Sequence, residues 1–423
     1  MTDSILLIGC TNESINTAIW LASLNKSVQL LADDSAVSHT LASYKFDHQM
    51  SALWQMYTQT GQITVVASPA TAAYVWLFLD AQGVDEYLPS LFDTTAQVIL
   101  SGSVAIGDVA SLANEFSTSQ VCYVPFVFMK DGTGFGSLSS PDMVMIGEKT
   151  LGVHTTNEPL FVHTTNELLL MLLSRTDKQF VGDIKTVEFA RAGIMAMLAT
   201  RLSFVNEMAR LADASGVDMT TVQTVMGLDK RIGKDYLSAG WGFGGQTLPT
   251  EVELLDQFFK QNQVQSRLLS TVSQINEDQK ELIFRKFWRY FDGFIDGKSV
   301  MIWGAGYRTG TGRTTNGAIH PLLKLLWSYG IKTSIYAPNA GFELTELYGD
   351  EPLFGLCDDA YDLAGRDALF ILNWSEAVPP YIEQLNQFGL PIFDAKNILN
   401  NQLVAQYAGD YHGIGRNHSK VEV

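Results

Sequence analysis

Cysteine is scarce here: Cys10, Cys122 and Cys357 are the only three in 423 residues. They are widely spaced, odd in number and form no CxxC or Cys/His cluster. That argues against a disulfide framework or a zinc site, and a reducing cytosol is the expected compartment. Long apolar runs are missing too, since no stretch approaches the roughly 18 residues that a membrane helix needs. The start, with a short apolar run from Ile5 to Ile8, has no basic n-region and no long h-region. The expectation is a cytoplasmic chain, neither secreted nor membrane-spanning. Positive charge is also in short supply. Lys plus Arg number 28 against 45 Asp plus Glu, for a formal net charge of -17. Nucleic acid and anionic membrane surfaces are therefore disfavoured as partners, although a local basic pocket for one phosphate is compatible with that balance.

What is present is apolar content, 46% of a chain longer than one hydrophobic core usually serves, so two or three domains are expected. "SILLIG" at residues 4–9 reads as a buried strand, "INTAIWLASLN" from Ile15 has helical apolar spacing, and "SVQLLADD" reads as a second strand. That is a βαβ unit. Further strand-like runs follow at 73–80, 97–103 and 121–128, the order of a doubly wound parallel sheet. Residues 186–214 carry no Pro, one Gly and dense helix formers, predicting one long helix. A second helical run is read from about Glu251 to Tyr290. "SVMIWGAG" at 299–306 is again a strand entering a glycine turn, so a second sheet domain begins near residue 297. The repeated "HTTNE" at His154 and His163 is too short to mean a repeat architecture and reads as a small duplication in a surface loop.

The stretch "GWGFGGQTLPTEVELL", residues 240–255, raises the functional question. A glycine run lets the backbone approach a ligand closely. Together with "AMLATRLSFVNEMARLADASGVD", "GLDKRIGKDYL", "SPDMVMIG", "FDAKNILN" and "YHGIGR", it resembles the UDP-glucose/GDP-mannose dehydrogenases, in the family's order and over essentially the whole chain. The resemblance implies an α/β protein: two Rossmann-like doubly wound parallel-sheet domains joined by a central helical domain with a long helix. On this reading residues 1–180 form an NAD-binding-like domain, 181–295 a helical dimerisation and substrate domain, and 296–423 a UDP-sugar-binding-like domain. It also implies NAD as cofactor, a UDP-sugar as ligand, a homodimer, no metal, and a place in polysaccharide biosynthesis.

The family's glycine loop reads GFGGxCFPKD, where the cysteine attacks the aldehyde intermediate; here Thr247 takes that position and Thr250-Glu251 replaces the Lys-Asp pair. A threonine hydroxyl needs a strong adjacent base to act as nucleophile. The family's helix lysine and asparagine match Arg191 and Met195, and its "NPEFL" glutamate falls on Phe126 or Val127. Arginine cannot lose its proton in a protein and methionine is no useful donor. Of the family's GxGxxG only Gly9 is kept, with Thr11 and Asn12 following and Glu13 placed to repel a phosphate at the helix start. The ribose carboxylate position falls on Ala32, with Asp33 and Asp34 just beyond, either able to serve; Ser103 matches the threonine of "STVPVGT". Substrate positions match better. Arg231, Tyr236 and Leu237 lie in "DKRIGKDYL", Gly242, Phe243, Gly244 and Gly245 in the loop, Tyr307 and Arg308 at a uracil-stacking and phosphate-pairing position, and Lys396 replaces an arginine.

The leading expectation is thus a catalytically degenerate pseudoenzyme that keeps some nucleotide-sugar binding or a scaffold role. Two alternatives stand beside it: an NAD-dependent nucleotide-sugar oxidoreductase with altered chemistry through Arg191, Glu251 and a water, and a structural protein binding neither ligand.

Overall fold

The computed structural model describes residues 4–149, 166–374 and 376–418. Most of the "HTTNE" duplication lies outside the described residues. The chain divides into two compact units. One comprises residues 1–194 with 257–262, the other 195–256 with 263–423. The middle segment 181–295 is thus shared between them.

The first unit is built on an eight-stranded sheet ordered β3-β2-β1-β4-β5-β6-β7-β8, with β1 Ile5–Ile8, β2 Val28–Leu31, β3 Ile63–Val66, β4 Tyr74–Phe78, β5 Gln97–Ser101, β6 Val121–Tyr123, β7 Val144–Glu148 and β8 Gln179–Asp183. All pairings are parallel except β6 with β7. β1 and β4 are buried at every residue, as expected of central parallel strands covered on both faces. The run read as a strand at 121–128 stops at Tyr123, two residues before Pro125, which has no N–H to give the ladder. Helix α1, Asn12–Ser23, follows β1 and buries all but its second residue and its end against the sheet. Helix α2, His48–Gln59, and the short helix α3, Gly134–Ser139, pack on α1. A Cβ on Gly134 would lie 2.3 Å from Asn16 Nδ2, so only glycine permits that approach.

The predicted long helix is α4, Ile184–Ser215. The second helical run is three helices: α5 Thr247–Gln261, α6 Leu268–Lys280 and α7 Leu282–Tyr290. The break after Gln261 passes through Gln263 at φ 56, a left-handed residue that ends a helix.

The second unit carries a seven-stranded sheet ordered β11-β10-β9-β12-β13-β14-β15. Its strands are β9 Ser299–Trp303, β10 Lys332–Tyr336, β11 Phe354–Leu356, β12 Ala368–Ile371, β13 Ile392–Asp394, β14 Tyr411–Gly413 and β15 Arg416–His418. Only the β14–β15 edge pair is antiparallel. The chain is therefore an α/β fold with two mostly parallel sheets and a helical middle. Among the described residues no helix is long and apolar enough to cross a membrane.

Candidate functional site

In the first unit the sequence directs attention to the β1–α1 turn. Gly9 sits at φ +102, and a Cβ there would come within 2.6 Å of Ala81 Cβ. The turn is thus tight for reasons of packing. In a dinucleotide site the exposed N–H groups of the helix start hold the pyrophosphate. Here the protein meets them itself. Thr11 Oγ1 accepts from Ser14 N at 3.1 Å, Ser14 Oγ accepts from Thr11 N at 2.8 Å, and Ile15 N donates to Thr11 O at 3.1 Å. The Glu13 carboxyl turns back onto its own N–H and the Thr11 hydroxyl.

Burial, then the neighbouring Asp80 and Asp131 carboxylates, push the Glu13 carboxyl up to about 7. Met129 and Gly134 bring the 129–134 segment along the same helix, against Asn12 and Asn16. These residues do not suit a pyrophosphate: the Thr11, Glu13 and Ser14 N–H groups are taken up by the chain's own side chains and the charge nearby is negative. Asp33 is exposed directly after β2 and caps the next helix without a side-chain hydrogen bond; Asp34 is exposed beside it. Ser103 is half-buried beside Gly102.

Arg191, on α4, is 2% exposed. One guanidinium nitrogen donates to Gly102 O at 3.1 Å and to the Tyr123 hydroxyl, and the other donates to Val104 O. A guanidinium fixed on two carbonyls and a phenol is a clamp on the loop after β5. One turn earlier Glu188, fully buried, accepts from Gly107 N at 3.1 Å and Val109 N at 2.9 Å. Burial raises its carboxyl, against those two donors and the Arg191 charge. Tyr123 was not legible as a partner of Arg191, nor Gly107 and Val109 as partners of Glu188, because those pairings join residues far apart in sequence.

The second unit holds the glycine loop. Gly240 N donates to Asn206 Oδ1 at 2.9 Å and Gly240 O accepts from Gln279 Nε2 at 2.7 Å. Asn276 bonds Phe243 on both sides, accepting from N at 2.7 Å and donating to O at 3.0 Å. Gly245 N donates to Thr315 O at 2.7 Å, and Asn316 Nδ2 donates to Gly245 O at 3.1 Å. Three N–H and three C=O groups of the loop are thereby satisfied by side chains and backbone from three other segments. Gly245, at φ +81, lies under the Tyr307 ring, where a Cβ would stand 2.8 Å from ring carbons.

Tyr307, Arg308 and Lys396 meet at this loop. Lys396 Nζ donates to Tyr307 O at 3.4 Å, its stem runs beside Gly240, and the Arg308 guanidinium lies 5.9 Å from the Tyr307 ring centre. Burial, and then the charge of Arg308, depress the Lys396 ammonium to about 8. The two cations thus lie close enough to perturb one another. Thr247 opens α5, exposed, while Glu251 one turn on is fully buried. Among the described residues the Thr247 hydroxyl makes no hydrogen bond.

The remaining predicted residues do not join the cradle through any contact described. Arg231 is exposed and its guanidinium is held by Asp229, 2.7 Å away, in the same turn. Tyr236, at φ 57, is exposed; Leu237 is buried in the apolar core of its unit. Met195 is buried. Arg191 lies in the first unit, while Met195, Thr247 and Glu251 lie in the second. Asn206, Asn276 and Gln279, which tie the loop, went unread; a signal was available in buried amides on helices flanking a glycine run. Among the described residues no group of three His, Cys, Asp or Glu is placed to hold a metal.

Two mostly parallel sheets with a long helix and a glycine loop define the class, a two-sheet α/β protein. Residues 185–278 match the central domain of the UDP-glucose/GDP-mannose dehydrogenase family. A UDP-glucose 6-dehydrogenase of Pseudomonas aeruginosa is 30% identical over 296 residues, covering 68% of this chain and 64% of that protein. The match thus runs over less than two thirds of the relative's own length. A solved UDP-glucose dehydrogenase from the archaeon Pyrobaculum islandicum superposes with TM-score 0.78 at 17% identity, over 98% of both chains. A UDP-D-ManNAc dehydrogenase from Pyrococcus horikoshii gives 0.75 at 17% identity, over 98% of this chain and 99% of that one. At such identities the likeness establishes the fold.

Proposed function

We propose that this chain is a catalytically degenerate nucleotide-sugar dehydrogenase homologue that binds a nucleotide sugar and does not carry out the two-step oxidation. The carrying observation is the Thr247 hydroxyl, which stands at the family's cysteine position with no base hydrogen-bonded to it among the described residues. A hydroxyl without a base is too weak a nucleophile to trap an aldehyde. Arg191 supports the same reading, since its guanidinium holds Gly102, Val104 and Tyr123. So does the β1–α1 turn, whose residues do not fit the pyrophosphate of the NAD that the resemblance implies. The ligand's phosphates would be taken by Lys396 and Arg308, and its base by the Tyr307 ring.

The chain would pair with a second copy through α4, where Met197, Phe204 and Leu211 are 61%, 48% and 61% exposed at a spacing of about one heptad. Calorimetry with UDP-glucose, UDP-N-acetylhexosamines, NAD and NADH, followed by an NADH-formation assay, tests the reading. Sugar-nucleotide binding that Arg308→Ala weakens at least tenfold, with neither NAD binding nor turnover, is the expected result. NADH formation above trace rate would overturn it, and loss of that activity in Glu251→Gln would establish altered chemistry through the buried carboxylate.

A further inference from the structure

A concavity in the second unit, apart from the glycine loop, is lined by cations. It encloses about 520 Å³ and is walled by Arg210 of α4, by Arg285, Lys286, Arg289 and Tyr290 of α7, and by His412 of β14, with Asp213 the only carboxylate in the wall. In a chain with a net charge of -17, the wall gathers four basic side chains against one carboxylate, and Asp410 accepts from the Tyr290 hydroxyl at 2.9 Å.

Three of the four cations are ion-paired. Arg210 and Arg285 share Asp278, Arg285 also reaches Glu281 at 3.5 Å, and Lys286 bonds Asp213 Oδ1 at 2.7 Å and Gly413 O at 2.6 Å. Asp278 and Glu281 are not part of the wall. Arg289 is exposed and has no ion pair among the described residues. The crowding is costly. Burial lowers the Lys286 ammonium, Asp213 opposes this, and Arg289 lowers it further. An anion in the hollow would relieve that cost. Tyr290 and His412 stand edge to face, ring centres 5.1 Å apart, and add an aromatic surface.

We propose that this hollow binds a small di- or polyphosphate of nucleotide size. A single phosphate would engage one or two of the cations; several linked phosphates match a volume typical of small-ligand pockets and guanidinium groups drawn from two helices. None of these residues belongs to the proposed sugar-nucleotide cradle, so the two readings stand or fall separately.

Inorganic pyrophosphate, which carries neither base nor sugar, is the probe, titrated by calorimetry into the full chain. The expected result is binding that falls at least tenfold in Arg285→Ala/Arg289→Ala and in Arg289→Glu, is unchanged in Arg308→Ala, and weakens steeply with added salt. Both arginines are solvent-accessible, and circular dichroism of the variants establishes that each is folded. Absence of binding to the wild-type chain, equal affinity in the folded arginine variants, or a loss confined to Arg308→Ala would each overturn the proposal.

Discussion

The side chain that best separates ancestry from present use is Arg191. Its position matches a lysine that acts on substrate in the family, yet its guanidinium donates to Gly102 O, Val104 O and the Tyr123 hydroxyl. Truncation would take the donor from Val104 O, leave Gly102 O and the Tyr123 hydroxyl only their bond to each other at 3.0 Å, and remove the cation near the buried Glu188. Arg191→Ala should therefore lower stability by about 3 kcal/mol, seen as a drop in the urea midpoint. Arg191→Lys should recover only part of it, because an ammonium cannot present a planar fork to separate acceptors. An unchanged midpoint in Arg191→Ala would mean that the clamp contributes nothing. The spacing of Arg191 on a helix was legible in the sequence. Its partners were not, since they come from β6 and the loop after β5.

For elements, the start of α1 is the most informative. A helix N-terminus attracts anions, and here a carboxyl from the same helix turn takes that place. The Glu13 carboxyl is raised from its ordinary range to about 7, so the folded state binds its proton more tightly than the unfolded chain does. The resulting stability is full below the unfolded carboxylate range and is lost as pH rises toward 7. Unfolding free energy measured from pH 5 to 8 should decline more steeply in the wild type than in Glu13→Gln. Glu188 and Asp394 are raised in the same sense by burial, and comparison of the two proteins removes their contribution. Parallel slopes would show that Glu13 is not perturbed. The repulsion of a phosphate by Glu13 could be read from the sequence. That its carboxyl, with Thr11 and Ser14, would occupy the helix donors could not be, since capping depends on rotamers that the local sequence permits without imposing.

Across the whole chain, two mostly parallel sheets and a 32-residue helix are built from a sequence poor in cysteine and rich in acid. The exposed apolar residues of α4 call for a cover. Leu211→Glu should shift the proposed dimer toward monomer, with sedimentation velocity as the measure, while far-ultraviolet dichroism stays unchanged because Leu211 is already 61% exposed. A wild-type chain that sediments as a monomer at all accessible concentrations would remove the dimer from the reading.

The alternation of apolar runs and glycine turns determined by itself that there would be two parallel sheets and one long helix, because strand burial and helix periodicity are local properties of the chain. The resemblance to the family's motifs implied which polar positions had changed. The tertiary structure decided what the replacements do. Arg191 became a clamp, the loop glycines became close contacts with Asn276, Asn316 and Tyr307, and Lys396 met Arg308 across 88 residues of sequence, the difference of their numbers. These outcomes depend on which distant groups the fold brings within about 3 to 4 Å, and a side chain's charge becomes a function only when its neighbours are fixed.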